Sequence, residues 1–193
     1  MEETVSKVDA ASRQLVTAIR LFVEDKDSIS VYTLAHAARE VFEALCKHEG
    51  KETFRQHVLK ATKNQDQKRL HKLIIGHRDF FKHATRDPYS LIHDFSDELN
   101  EHILLFALED CARVTGKMPI EAQVFQMWYF AIHPEKLSDE ARFYWAPKTE
   151  VVFPDINEKT RYEKKKLLKQ VLEKNLKNES LIKDPKTDTK IVK

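Results

Sequence analysis

Glycine is nearly missing from this chain, with 3 in 193 residues, and there are only 6 prolines and 2 cysteines. An all-β fold needs many tight turns, so this shortage excludes it and suits long helices joined by short loops. Cys46 and Cys111 each lie inside an apolar helical pattern, which predicts buried, reduced thiols rather than a disulfide framework. The longest apolar run, Ile103 to Leu108, is far short of the ~20 residues that cross a bilayer, so no membrane association is expected. Met1 to Asp9 is acidic and has no apolar segment of the kind a secretory leader carries. The expected setting is cytoplasmic. A strong positive charge is lacking as well. Residues 158–193 carry twelve basic and six acidic side chains, a balance of +6, which leaves −4 for the rest of a chain whose net charge is +2. That body does not attract polyanions in general, which counts against an ordinary DNA-binding domain.

What is present is helical periodicity. Hydrophobic residues at 41% and charged residues at 33% describe a globular chain with a heavily charged surface, and the spacing predicts an all-α bundle of five to seven helices. A first helix is expected over about Glu3 to Glu24, and a second runs from a Ser28 or Ser30 cap to about His48, with Gly50 closing it. A short helix follows over Lys51 to Lys60. Asp94 or Ser96 caps a helix to about Thr115 that is apolar all round at Ile103 to Leu108, so it should be the most buried. Pro119 opens another, which stops before Pro134. Leu137 to Pro154, with its prolines and the Val151-Val152 pair, reads as an extended strap. Residues 1–155 thus form a bundle domain with strap. Asp155 and Glu158 suggest a capping box for a charged C-terminal helix over 156–182, and residues 183–193 read as a disordered tail.

The densest chemistry lies in Leu70 to Tyr89, LHKLIIGHRDFFKHATRDPY. Leu70, Leu73, Ile74, His77, Phe81 and Ala84 share one stripe of a helix expected to end by Arg86, because Pro88 disfavours the α region for Asp87. Arg78, Asp79, Lys82 and His83 fall largely off that stripe. On an unbroken helix, five positions separate Arg78 from His83 by about 140° and ~7.5 Å of rise, so their heads would not touch. They line one groove only if the helix ends near His83 or a second subunit closes over them. Asp79 and His83, four apart, face each other, and the carboxylate favours the charged imidazole.

An all-helical bundle with Arg78, a polar Asp79 and His83 in an R-x4-H pattern resembles the HEPN superfamily, many of whose members are metal-independent ribonucleases that act as dimers, toxins among them. Phe80 to Ala84 followed by Arg86-Asp87-Pro88 also resembles a group of helical bacterial proteins with no established function. So do Gly116, Phe125 to Trp128 and His133-Pro134, and this second likeness covers about Val5 to Leu137. The HEPN resemblance implies Arg78 and His83 as catalytic residues, with Asp79 and Lys82 in support, RNA as substrate, a homodimer, and neither metal nor cofactor. His83 would move protons at a ribose 2′-hydroxyl or at the 5′-oxygen leaving group, and Arg78 would stabilise the charge on the phosphorane. A toxin or defence role fits that chemistry. The reading from another class is a non-catalytic helical module that recognises a protein partner or a small ligand, with the same four residues a solvated helix face.

Other features favour structure over chemistry. His36 with Glu40, Glu98 with His102, and His77 with His83 lack the order and spacing of a bundle metal site, so no metal is expected. Glu109 and Asp110 interrupt an apolar helix and need partners, for which Arg39 or Arg113 are candidates. Trp128, Tyr129 and Phe130 read as core and dimer contact, and Lys164 to Lys166 as a solvated charge run.

Overall fold

The computed structural model describes residues 2–61, 67–68, 74, 76–83, 85 and 87–190. Among them are nine α-helices and no strand, so the all-α expectation holds with more helices than the periodicity separated. They are α1 (Lys7–Val23), α2 (Ser28–His48), α3 (Phe54–Ala61), α4 (Arg78–Lys82), α5 (Glu98–Thr115), α6 (Ile120–Ile132), α7 (Asp139–Val152), α8 (Arg161–Asn175) and α9 (Glu179–Ile182).

α1 starts later than its apolar pattern, because Ser6 accepts from the Asp9 N–H while the Asp9 carboxylate accepts from the Ser6 N–H, a reciprocal cap that fixes the first turn. Asp27, not Ser28 or Ser30, caps α2, accepting from the Ser30 N–H at 2.8 Å. Gly50 follows α2 at φ +68°, a left-handed conformation that a side chain would strain, and Gly116 ends α5 in the same way. α5 is the central element, with Ile103 to Leu108 all buried, Phe106 against Phe54 of α3 and the others in the main core. Its cap position is Asp97, whose carboxylate accepts from the side chains of Arg161, Lys165 and Asn100 and from no backbone N–H of the first turn. Pro119 sits one residue before α6 in an extended conformation.

Three expectations are overturned. The strap is the helix α7. Ser138 caps it by accepting from the Ala141 N–H, and Pro147 lies inside it. That proline removes one backbone donor, but it lies on the exposed side, where water can satisfy the freed carbonyl. Only Thr149 of α7 is buried, and Phe143, Tyr144 and Val151 are exposed. Second, the capping box belongs to Thr160 and Glu163, while Asp155 takes a left-handed φ of +51° ahead of a 3-10 turn at Ile156–Glu158, so the charged helix starts later and ends at Asn175. Leu168 and Leu172 of that helix are buried, and the buried Lys165 reaches both Asp25 and Asp97 at 2.6 Å, so the lysine run is not wholly a solvated face. Third, Lys183 to Lys190 is docked. The Met118 N–H donates to the Lys186 carbonyl, the Asp188 N–H returns to the Met118 carbonyl, and Gln123 donates to the buried Thr187 hydroxyl.

Both cysteines are free and buried, and burial pushes the Cys46 thiol up to about 11 and the Cys111 thiol to about 12, so neither is a ready nucleophile. Glu109 pairs with Arg113 at 2.9 Å, and Asp110 accepts from the Phe54 N–H at 2.6 Å, fastening α3 to α5.

Candidate functional site

The helix expected from Leu70 to Arg86 is described at Ile74 and from Gly76 to His83. Leu70, Leu73, Ala84 and Arg86 lie outside the described residues. Gly76 and His77 form a turn, α4 spans only Arg78–Lys82, and His83 is already extended at φ −136° and ψ 134°. Ile74 is helical, but the turn at Gly76 and His77 and the end of α4 at Lys82 overturn the expectation of one continuous helix through to Arg86. So short a helix does not hold itself together, and packing must fix it. Phe81 supplies that packing by meeting Tyr32 and Phe95 edge-on at 5.5 and 5.2 Å, with His77 against the same rings. Beneath them His36 is buried, its ring tilted against Tyr32 at 4.4 Å, with neither ring nitrogen hydrogen-bonded among the described residues.

Glu40 of α2 ties α4 down on its polar side. One carboxylate oxygen accepts from Arg78 Nη1 at 2.9 Å and the other from Lys82 Nζ at 2.8 Å, with the buried Arg39 guanidinium 3.7 Å away. Burial works to raise the Glu40 carboxyl, but the Lys82 hydrogen bond and the charges of Lys82, Arg78 and Arg39 hold it below the usual value. Arg78 also donates from Nε to Asp79 at 2.8 Å, which lowers the Asp79 carboxyl and raises the guanidinium.

Because α4 stops at Lys82, the separation of Arg78 and His83 on a continuous helix does not apply. Both line one open cleft of about 620 Å3, together with Asp79, Thr85 and Asp87. His83 is exposed, and among the described residues its ring has no hydrogen-bond partner. Lys82 is not part of that cleft. Its ammonium turns to Glu40 and borders a separate hollow against α1 and α2. Among the described residues the cleft thus offers one guanidinium, one imidazole and two carboxylates. His36 with Glu40, Glu98 with His102, and His77 with His83 are not joined into a metal site, since no group of three or more His, Cys, Asp or Glu among the described residues is placed to hold an ion.

A second polar cluster was not anticipated. His102 Nδ1 lies 2.8 Å from the Tyr129 hydroxyl, and His133 Nε2 lies 2.8 Å from the buried Glu101, which also takes Arg161. Burial, then Lys136, pushes His102 down to about 4, so it is neutral at neutral pH. The available signal was a Glu-His pair opening the most apolar stretch of the chain. No protein-family model, curated protein or solved structure matches this chain. No helix among the described residues is long and apolar enough to cross a membrane.

Proposed function

We propose that the chain is a HEPN-like, metal-independent endoribonuclease, of a kind suited to toxin or defence roles. The observation that carries the reading is the shared cleft of Arg78 and the unengaged His83. In that reading the His83 imidazole takes the proton of a ribose 2′-hydroxyl, the 2′-oxygen attacks the adjacent phosphorus, and the 5′-oxygen leaves with a proton. Arg78 stabilises the charge that builds on the phosphorane oxygens. To do so it exchanges Glu40 and Asp79 for phosphate oxygens, which the open face of the cleft permits. Asp79 lines the same cleft and orients the Arg78 guanidinium through Nε. A homodimer would let a second copy supply the other proton-transfer group.

The second reading is a non-catalytic module for a protein partner or small ligand. It is favoured by the same Arg78 geometry, since a guanidinium already held by two carboxylates is a good structural strut. The chemistry of the products separates the two. Single-stranded RNA incubated with the protein in excess chelator should yield fragments ending in a 2′,3′-cyclic phosphate. Fragments ending in a 3′-hydroxyl would require a different nucleophile and would exclude the His83 mechanism.

A further inference from the structure

α3, α5, α6 and the 3-10 turn at Pro134–Lys136 line a partly open cavity of about 180 Å3 that, among the described residues, shares no lining residue with the Arg78–His83 cleft. Its walls are apolar, with Phe54, Leu105, Phe106 and Phe130 prominent. An apolar cavity of ~150 Å3 is enough to take benzene, so the space fits one ring.

One end of the cavity is polar, and its hydrogen-bond roles can be worked out. Lys136 Nζ lies 3.4 Å from His102 Nε2. An ammonium only donates, so Nε2 carries the lone pair and Nδ1 carries the proton, which it donates to the Tyr129 oxygen 2.8 Å away. The Tyr129 O–H is then left without an acceptor among the described residues. Lys136 spends one of its three ammonium protons on His102 Nε2 and has no acceptor for the others among the described residues, because the nearby carboxylates are already committed. Glu101 is held by His133 and Arg161, and Glu135 lies 3.5 Å from His133 Nδ1. Neutral His102 adds no positive charge beside Lys136. The polar end therefore presents two donors, one of them cationic, at the edge of a ring-sized apolar chamber.

We propose that this cavity is a binding site for a small monocyclic aromatic carboxylate, its ring among Phe54, Leu105, Phe106 and Phe130 and its carboxylate accepting from the Tyr129 hydroxyl and the Lys136 ammonium. The site does not depend on Arg78 or His83.

Titration calorimetry on the full chain with phenylacetate, phenylacetamide and phenethylamine tests it. Phenylacetate should bind at least about tenfold more tightly than the neutral amide, as expected for a charge-assisted pair, and the amine should not bind. Lys136→Met, at an exposed position, should bring phenylacetate down to the level of the amide with the thermal midpoint unchanged. Tyr129→Phe removes only the hydroxyl and should weaken phenylacetate more than phenylacetamide. Three outcomes would overturn the proposal: no binding of phenylacetate at millimolar concentration, equal binding of all three compounds, or phenylacetate binding unaffected by Lys136→Met.

Discussion

Glu40 and Arg78, 38 residues apart, meet at 2.9 Å, and this contact joins the short helix α4 to the long helix α2. The same carboxylate holds Lys82, so one side chain fixes both cations of the Arg78–Lys82 turn. All three groups are about one-third exposed, and solvent screens the pairing. Glu40→Gln should therefore cost only about 1 kcal/mol in urea denaturation. A loss above ~3 kcal/mol would mean that Glu40 is a buried linchpin of the core instead of a tether for α4.

The pH dependence of stability should come first from histidines. Burial, then Arg39, drives His36 down to about 2, and His102 sits at about 4, so the folded chain keeps both neutral where an unfolded histidine, near 6.5, takes up a proton. The unfolded state then binds more protons, so stability falls as pH drops below about 6.5. Each histidine contributes at most ~1.4 kcal/mol per pH unit. The His102 contribution stops growing near pH 4, and that of His36 continues below it. Glu40, Glu43, Asp97 and Glu101, all held below the usual carboxylate value, add their loss only at more acidic pH, where the raised Asp110 acts in the opposite sense. His36→Leu should flatten the slope between pH 6 and 4.5 to about half, measured as the urea midpoint against pH. An unchanged slope would show that His36 is protonated in the fold.

Phe106 lies buried in α5 and meets Phe54 edge-on at 4.9 Å. Phe106→Ala should cost about 3–5 kcal/mol as a large-to-small core change. A loss under ~1 kcal/mol would remove α5 from the centre of the bundle.

The segment after α9 should matter for stability. Deleting residues 183–193 removes both backbone bonds to Met118 and the cover that Thr187 gives Gln123, and should lower the thermal midpoint by several degrees. An unchanged midpoint would mean that Lys183 to Lys190 is not docked in solution.

Much of the bundle was legible because its signals are local. Gly50, Gly116 and the apolar run at Ile103 to Leu108 each carry their own reason in a few neighbouring residues. α7 is not legible in the sequence, because Pro147 and the Val151-Val152 pair both argue against a helix, while its Ser138 cap and exposed outer face permit one. The docking of Lys183 to Lys190 runs through backbone groups of Met118, which leave no periodicity to read. At the candidate site, Arg78 and His83 stand out as a pattern, but the break of the helix after Lys82 and the reach to Glu40 depend on tertiary contacts. The cavity beside His102 draws its polar groups from α5, α6 and a 3-10 turn, and no single stretch of sequence shows them together.

The most direct test of the Arg78–His83 account compares the RNA cleavage rate of the wild type with those of His83→Ala and Arg78→Lys, in chelator and at matched thermal stability. His83→Ala should lower the rate by a factor of roughly 10²–10⁴. Arg78→Lys should also fail, since an ammonium does not reproduce the planar, two-pronged grip of a guanidinium on phosphate. Cleavage that persists at the wild-type rate in both variants would contradict the account and leave Arg78 as a strut between α4 and α2.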